Sequence, residues 1–251
     1  LQSITILSFL ILYDTGINSI KIDFLDYFLQ YKIINLFFTT FCILIVINGS
    51  NFMDGVNTLT AGYFILILLS LFFIFFNNTI ILLNYNLLMI LIISLSVVFI
   101  FNIFGKIYLG DNGAYLVAFI ISIILVDASK NNILISPYYV VNLLWYPAFE
   151  NLFSIIRKAI QKKSPMDPDN EHFHHLLFSY FKSKNNINKK IANSITACTI
   201  NLFNVVIFVT ATLYYSKTNI QIVIILTSLF FYNFCYFILK KKIIKKSLLK
   251  N

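Results

Sequence analysis

Apolar residues run along this chain in long blocks, each near the length of a bilayer crossing, with polar connections between them. A spanning helix needs about 20 mostly apolar residues, because every backbone N–H and C=O must find its partner inside the segment once water is absent. Such blocks fall at about 1 to 13, 33 to 48, 58 to 76, 87 to 104, 114 to 127, 134 to 153, 193 to 214 and 220 to 239. The pattern predicts an all-α fold, a polytopic transmembrane helix bundle with about eight spans in this chain. The block at 114 to 127, of 14 residues, spans only if its ends extend. After the first block, the alternation Ile20-Lys21-Ile22-Asp23-Phe24 predicts a short strand. Near the end of the sixth, Pro147 just ahead of Glu150 predicts a kinked or broken helix.

Composition removes the main rival. With 59% hydrophobic residues, 12% charged and a mean hydropathy of +0.83, a water-soluble fold is excluded. Cys42, Cys198 and Cys235 sit in apolar runs at spacings that form no metal or disulfide pattern.

Charge orients the bundle. Counted on alternate sides of the predicted spans, Lys106, the eight Lys and Arg of 154–192 and the six from Lys240 onward make 15 on one face. Lys21, Lys32, Lys130 and Lys217 make 4 on the other. Basic connections stay in the cytoplasm, so the first face is expected to be cytoplasmic. The chain then reads as one transmembrane domain over 1–251, with a cytoplasmic His-containing loop at 154–192 and a basic cytoplasmic tail at 240–251. The net charge of +9 is a topology signal, and no nucleic-acid partner is expected, since the charges flank spans and form no binding module.

Three polar clusters share the expected cytoplasmic face. In the first, Asn51-Phe-Met-Asp54-Gly-Val-Asn57, Asn51 and Asp54 stand three apart and share one side of a helix. They suit a metal or a sugar nucleotide; Asp54 and Asn57 acting as helix caps is the other reading. In the second, Asn102-Ile-Phe-Gly-Lys106-Ile-Tyr-Leu-Gly110-Asp111-Asn112-Gly113, two glycines bracket an acid ahead of an apolar helix. Glycines allow backbone amides close to a phosphate, and Asp111 can hold the Mg²⁺ that accompanies a diphosphate, or else Asp111 or Asn112 caps the helix. The third, at 164–175, includes Asp167 and Asp169 and ends in His172-Phe-His174-His175, all three histidines of the chain. A zinc site, phosphate contact or acid–base work, and a merely solvated loop are the readings that stand.

In this order the clusters resemble the polyprenyl-phosphate sugar-1-phosphate transferases, glycosyltransferase family 4. The first is similar to that family's Asn-x-x-Asp-Gly-x-Asp segment, with Asn57 in place of its last Asp. The second resembles Asn-x-x-x-Lys-x-Phe-x-Gly-Asp-x-Gly, and the third His-x-His-His. The resemblance implies transfer of a sugar-1-phosphate from a UDP-sugar to undecaprenyl phosphate with release of UMP, at the inner (plasma) membrane, as the first membrane step of cell-envelope polysaccharide synthesis. It implies Mg²⁺, with Mn²⁺ as a substitute, held by Asp111 and Asp54. Asp54, Asp111 and His174 are the expected catalytic residues, and Asn51, Asn57, Asn102, Lys106, Arg157, His172 and His175 the expected substrate contacts. The spaced histidines lean toward an N-acetylhexosamine donor.

The family's upstream Asp–Asp pair does not occur ahead of the first cluster. The resemblance therefore implies about three further helices before Leu1, to make about 11 spans of some 20 residues, and an inactive chain without them. A transporter or a non-catalytic membrane protein is the alternative. A transporter predicts ionisable residues near mid-span, whereas Asp127 and Glu150 lie near span ends.

Overall fold

The computed structural model describes residues 1–77, 85–164, 169, 171–185 and 188–248. Asp167 of the third cluster and most of the connection at 77–86 lie outside the described residues. Among the described residues every regular element is a helix: α1 (Gln2–Leu12), α2 (Asp23–Leu29), α3 (Lys32–Met53), α4 (Leu59–Asn77), α5 (Tyr85–Ile103), α6 (Gly110–Asn131), α7 (Pro137–Ile160), α8 (Phe173–Asn185), α9 (Lys189–Leu213) and α10 (Thr218–Leu248). The protein is a polytopic membrane helix bundle. Among the described residues six helices, α3, α4, α5, α6, α9 and α10, are long and apolar enough to cross a bilayer. The other two predicted spans are α1, which has 11 residues, and α7, whose 24 residues include Asn142, Glu150, Asn151 and Arg157.

The block at 114 to 127 does extend at both ends, to the 22 residues of α6. The strand predicted at 20–24 is absent, and Asp26 explains why. Its carboxylate accepts the Ser19 hydroxyl at 2.6 Å and the Ile20 N–H at 2.7 Å, and Lys21 takes φ +56, which breaks the extended run. Asp23 and Asp26 then occupy the first turn of α2, where a carboxylate meets the positive end of the helix.

Lipid offers no hydrophobic drive between helices, so small residues and polar ties hold the bundle. At Gly49 of α3 a Cβ would stand 1.9 Å from the Pro147 carbonyl oxygen of α7, so only glycine allows these helices to approach so closely. α7 runs unbroken through Pro147. Proline cannot donate to the carbonyl four residues back, which here is Leu143, and the Tyr63 hydroxyl of α4 donates to it instead at 2.8 Å. Asn142 Nδ2 donates to Gln221 Oε1 at 2.7 Å, tying α7 to α10, and Trp145 Nε1 donates to Asn204 Oδ1 at 2.9 Å, tying α7 to α9.

The bundle has two distinct ends. At one, Lys32 pairs with the Asp14 carboxylate at 2.7 Å, Lys130 donates to the Asp14 carbonyl at 2.6 Å, and Lys21 to the Thr218 hydroxyl at 2.9 Å. These are three of the four lysines counted to the minority face, and Lys217 adjoins Thr218. The opposite end gathers the turn at 54–58, the α5–α6 connection, α8 and the start of the Lys240–Lys242 run.

Candidate functional site

The first cluster closes the end of α3. Asn51 is on its last turn and Asp54 is its C-cap, with the Asp54 N–H donating to the Asn51 carbonyl at 3.2 Å. A short turn follows, and two of its amides are met from other helices. The Asn57 N–H donates to Asn193 Oδ1 at 3.0 Å, and the Thr58 N–H donates to Asn102 Oδ1. Buried Asn102 also donates from Nδ2 to the Ile107 carbonyl at 2.6 Å. It thus clasps the start of α4 to the connection after its own helix, α5.

The second cluster is shaped by two left-handed glycines. Gly105 has φ +66, its N–H donates to the Asn102 carbonyl at 2.9 Å, and the Lys106 N–H reaches the Phe101 carbonyl at 3.0 Å. This is the Schellman ending of a helix, which requires a residue that tolerates positive φ. Gly110, with φ +62, opens α6, and a Cβ there would meet nothing within 4 Å, so the space beside it is open. Asp111 lies in the first turn of α6, exposed, and the N-cap is Leu109, with no side-chain cap. The capping alternative for Asp111 and Asn112 is therefore not what forms. Lys106 is exposed on the same connection.

Asp54 joins the two clusters. Burial pushes its carboxyl up to about 6, the Gly110 N–H opposes that shift, and the charge of Asp111 adds to it. Asn51 Nδ2 donates to the Tyr115 hydroxyl of α6 at 3.0 Å, while Asn51 Oδ1 is buried without a hydrogen-bond partner.

The histidines close the third side. The His172 ring lies 4.6 Å from the Phe52 ring, and His175 Cε1 lies 3.3 Å from where a Cβ on Gly55 would stand. His174 has no exposed surface, both its ring nitrogens lack a hydrogen-bond partner, and its centroid is 4.3 Å from that of His175. Burial, then the neighbouring histidines, drives His174 well below the ordinary imidazole value and lowers His175 as well. Both rings are neutral at pH 7, and of the two only His175 is reachable as a donor or acceptor.

Behind the rings, Arg157 and His172 face into the protein. Arg157 pairs with Asp169, donates to the Glu171 carbonyl at 3.1 Å and to the Tyr236 hydroxyl at 3.2 Å. Burial raises the Asp169 carboxyl, but Ser154, the Glu171 N–H, His172 and Arg157 outweigh it and hold the group down to about 2. Glu171 in turn pairs with Lys240 at 2.6 Å, drawing the end of α10 to the segment before α8. His172 Nδ1 is 2.9 Å from Glu150 Oε2.

The three clusters, far apart in sequence, thus converge at one end of one bundle. The model of glycosyl transferase family 4 matches residues 1–129, just over half of the chain and both of the first two clusters. The chain belongs to this family. Two curated relatives are similar to it. A Bacillus subtilis protein named as a probable undecaprenyl-phosphate N-acetylglucosaminyl 1-phosphate transferase is 30% identical over 145 residues, 54% of this chain and 38% of the relative. A Thermotoga maritima undecaprenyl-phosphate alpha-N-acetylglucosaminyl 1-phosphate transferase is 31% identical over 72 residues, 29% of this chain and 23% of the relative. The chain therefore spans less than half the length of either relative that it matches. No solved structure matches it.

Within this family 4 chain, the donors at the rim suit a hard divalent ion. Mg²⁺ is bound by one or two carboxylates together with waters and substrate phosphates, and Asp54 and Asp111 offer only oxygens. Burial first, and the like charge of Asp111 after it, raise Asp54, and a cation there would oppose both. Among the described residues no group of three His, Cys, Asp or Glu is arranged to hold a metal, so the histidines form no zinc site there.

Reading the sequence missed Tyr115, Tyr232 and the role of Glu150. Glu150 had a usable signal, since an acid at the edge of an apolar block is costly unless partnered or functional. Tyr115 and Tyr232 had none, being two of 15 tyrosines.

Proposed function

We propose that the protein transfers a sugar-1-phosphate, of the N-acetylhexosamine class, from a UDP-sugar to undecaprenyl phosphate at the cytoplasmic side of the inner membrane, opening a cell-envelope polysaccharide pathway. In this reaction an oxygen of the lipid phosphate attacks the β-phosphorus of the UDP-sugar. The bond from that phosphorus to the bridging oxygen breaks, and UMP leaves with the electron pair. The observation that carries the reading is the meeting of Asp54 with Gly110 and Asp111 beside the histidines, at the bundle end where the basic residues gather. A water-soluble nucleotide and a lipid-anchored phosphate can meet only at such a boundary. The names of the two relatives agree with the lipid acceptor and the sugar.

Asp111 and Asp54 would hold Mg²⁺, or Mn²⁺ in its place, which supplies charge neutralisation for the diphosphate. Asp54, with its carboxyl near 6, is suited to take the proton of a lipid phosphate monoanion. Asn51, with a free Oδ1, orients sugar or phosphate hydroxyls. Lys106 meets the diphosphate oxygens and half-buried His175 contributes a neutral N–H donor, while His174, expected to be catalytic, is fully buried and positions His175 instead. Asn57 and Asn102 set the turn between the clusters, while Arg157 and His172 hold the histidine segment in place.

The test is UMP release by the intact protein in nanodiscs, with undecaprenyl phosphate, Mg²⁺ and a panel of UDP-sugars. Release should need both lipid and cation and should favour UDP-N-acetylhexosamines. Turnover without the lipid acceptor, or none with any UDP-sugar, would sink the reading.

A further inference from the structure

A cavity of about 280 Å³ lies between α7, α8, α9 and α10. Neither α3 nor α6, which carry Asp54 and Asp111 at their ends, contributes to its lining. Trp145, Phe203, Phe231 and Tyr232 supply much of its wall, Thr199 and Cys235 are the small residues that leave it open, and its single charged member is Lys242. Such a lining rejects a nucleotide, whose phosphates and base would go unpaired, and accepts hydrocarbon.

The surroundings indicate which hydrocarbon. On α10 the neighbouring Phe230, Phe234 and Phe237 are exposed, at 74%, 56% and 61%, so this side of the bundle faces bilayer chains. α10 has 31 residues, about 46 Å of helix against a hydrocarbon core of about 30 Å, so its last turns stand at headgroup depth. Those turns begin Lys240-Lys241-Lys242. Lys240 is engaged with Glu171, whereas the exposed Lys242 stands over the Tyr180 ring, 5.5 Å from its centroid, beside the cavity. A cation at headgroup depth above an apolar slot complements a negative headgroup above an acyl chain.

We propose that this cavity binds one acyl chain of an anionic phospholipid, with Lys242 meeting the lipid phosphate. The bound chain packs against Phe173 and Tyr232, the latter donating its hydroxyl to Glu150, so the lipid buttresses the back of the histidine segment. The inference rests on the membrane setting alone and stands or falls apart from the transferase reading.

The experiment is photo-crosslinking of the intact protein in phosphatidylcholine nanodiscs doped with phosphatidylglycerol carrying a diazirine on its acyl chain, with adducts mapped by mass spectrometry. Adducts should concentrate on residues 199–203 and 231–239, and unlabelled phosphatidylglycerol should compete about fivefold better than phosphatidylcholine, as expected for one lysine near the headgroup. Cys235→Trp, which fills the slot, should remove these adducts. Lys242→Gln, at an exposed position where folding is unaffected, should abolish the preference for the anionic lipid. Equal labelling by phosphatidylcholine and phosphatidylglycerol probes, labelling that unlabelled lipid does not reduce, or an unchanged preference in Lys242→Gln would each overturn the proposal. Preferential capture of a prenyl phosphate probe would also overturn it, by reassigning the occupant.

Discussion

Glu150 Oε2 of α7 lies 2.9 Å from His172 Nδ1, which precedes α8. The other carboxylate oxygen accepts the Phe173 N–H at 3.1 Å and the Tyr232 hydroxyl at 2.9 Å, and Glu150 has no exposed surface. One buried acid thus ties α7, α8 and α10 together and fixes the ring that lies against Phe52. The placement of His174 and His175 follows from a residue that need touch no substrate.

Truncating this acid should be costly. Glu150→Ala leaves three donors without an acceptor, two of them buried, worth about 3 kcal/mol of stability. Glu150→Gln keeps an amide oxygen for Tyr232 and Phe173 and loses only the charged partner of His172, so it should lose about 1 kcal/mol. Thermal melting in nanodiscs measures both, and UMP release should fall in each, further in the alanine variant. An alanine variant as stable and active as the parent would show the clamp to be idle.

Asp54 should give the protein an unusual pH dependence. Its carboxyl sits at about 6 in the fold against an ordinary 3.8, so as pH rises the unfolded chain gives up its proton first. The stability that Asp54 contributes is whole below about pH 4, declines between about 4 and 6, and is gone above that. Asp54→Asn does not titrate and should be more stable than the parent at pH 7.5 by about 1 kcal/mol, after allowance for solvent screening of a half-buried group. The difference should vanish near pH 4. Activity runs the other way, falling as Asp54 takes up its proton, and because bound Mg²⁺ favours the carboxylate that fall should come below pH 6.

Asp111 is exposed, so Asp111→Asn should leave metal-free stability within about 0.5 kcal/mol of the parent. Mg²⁺ at about 100 times its Kd should stabilise the parent by about 2.7 kcal/mol and the variant hardly at all. Mg²⁺-dependent UMP release should be lost. A variant that melts higher with Mg²⁺, as the parent does, would remove Asp111 from the metal site.

Six of the eight expected spans and the gathering of three clusters at one end were legible in the residues, because block length and basic bias are written along the chain. The partners that settle each polar group were not. Glu150 meets Tyr232 across 82 positions, and Thr58 meets Asn102 across 44. Arg157 looked like a free cation for phosphate because its partners, Asp169 and Tyr236, come from another segment and another helix. The strand expected at 20–24 failed for a local reason with a distal cause, since alternation alone does not reveal that Asp26 folds the chain back on Ile20.

Gly49 tests the seam between α3 and α7. A methyl group there meets the Pro147 backbone rather than a movable side chain, so Gly49→Ala should cost about 1–3 kcal/mol and displace the end of α3 that carries Asn51 and Asp54. Gly113→Ala, where the nearest atoms belong to the Leu109 side chain at 3.4 Å, should be tolerated. Melting temperature and UMP release should separate the two variants.

The tie between Tyr63 and α7 permits a stricter test, because its cause lies in Pro147. The proline leaves the Leu143 carbonyl without its helical donor, and the Tyr63 hydroxyl fills that role at 2.8 Å while accepting the Tyr146 N–H at 3.3 Å. Tyr63→Phe should therefore cost about 1–3 kcal/mol, since the freed groups have no water to turn to. In a Pro147→Ala background residue 147 regains an N–H aimed at Leu143, so the same substitution should cost less by about 1 kcal/mol. The two changes are then non-additive in a double-mutant cycle. Strict additivity would mean that the hydroxyl acts through packing alone and that α7 tolerates its proline by some other means.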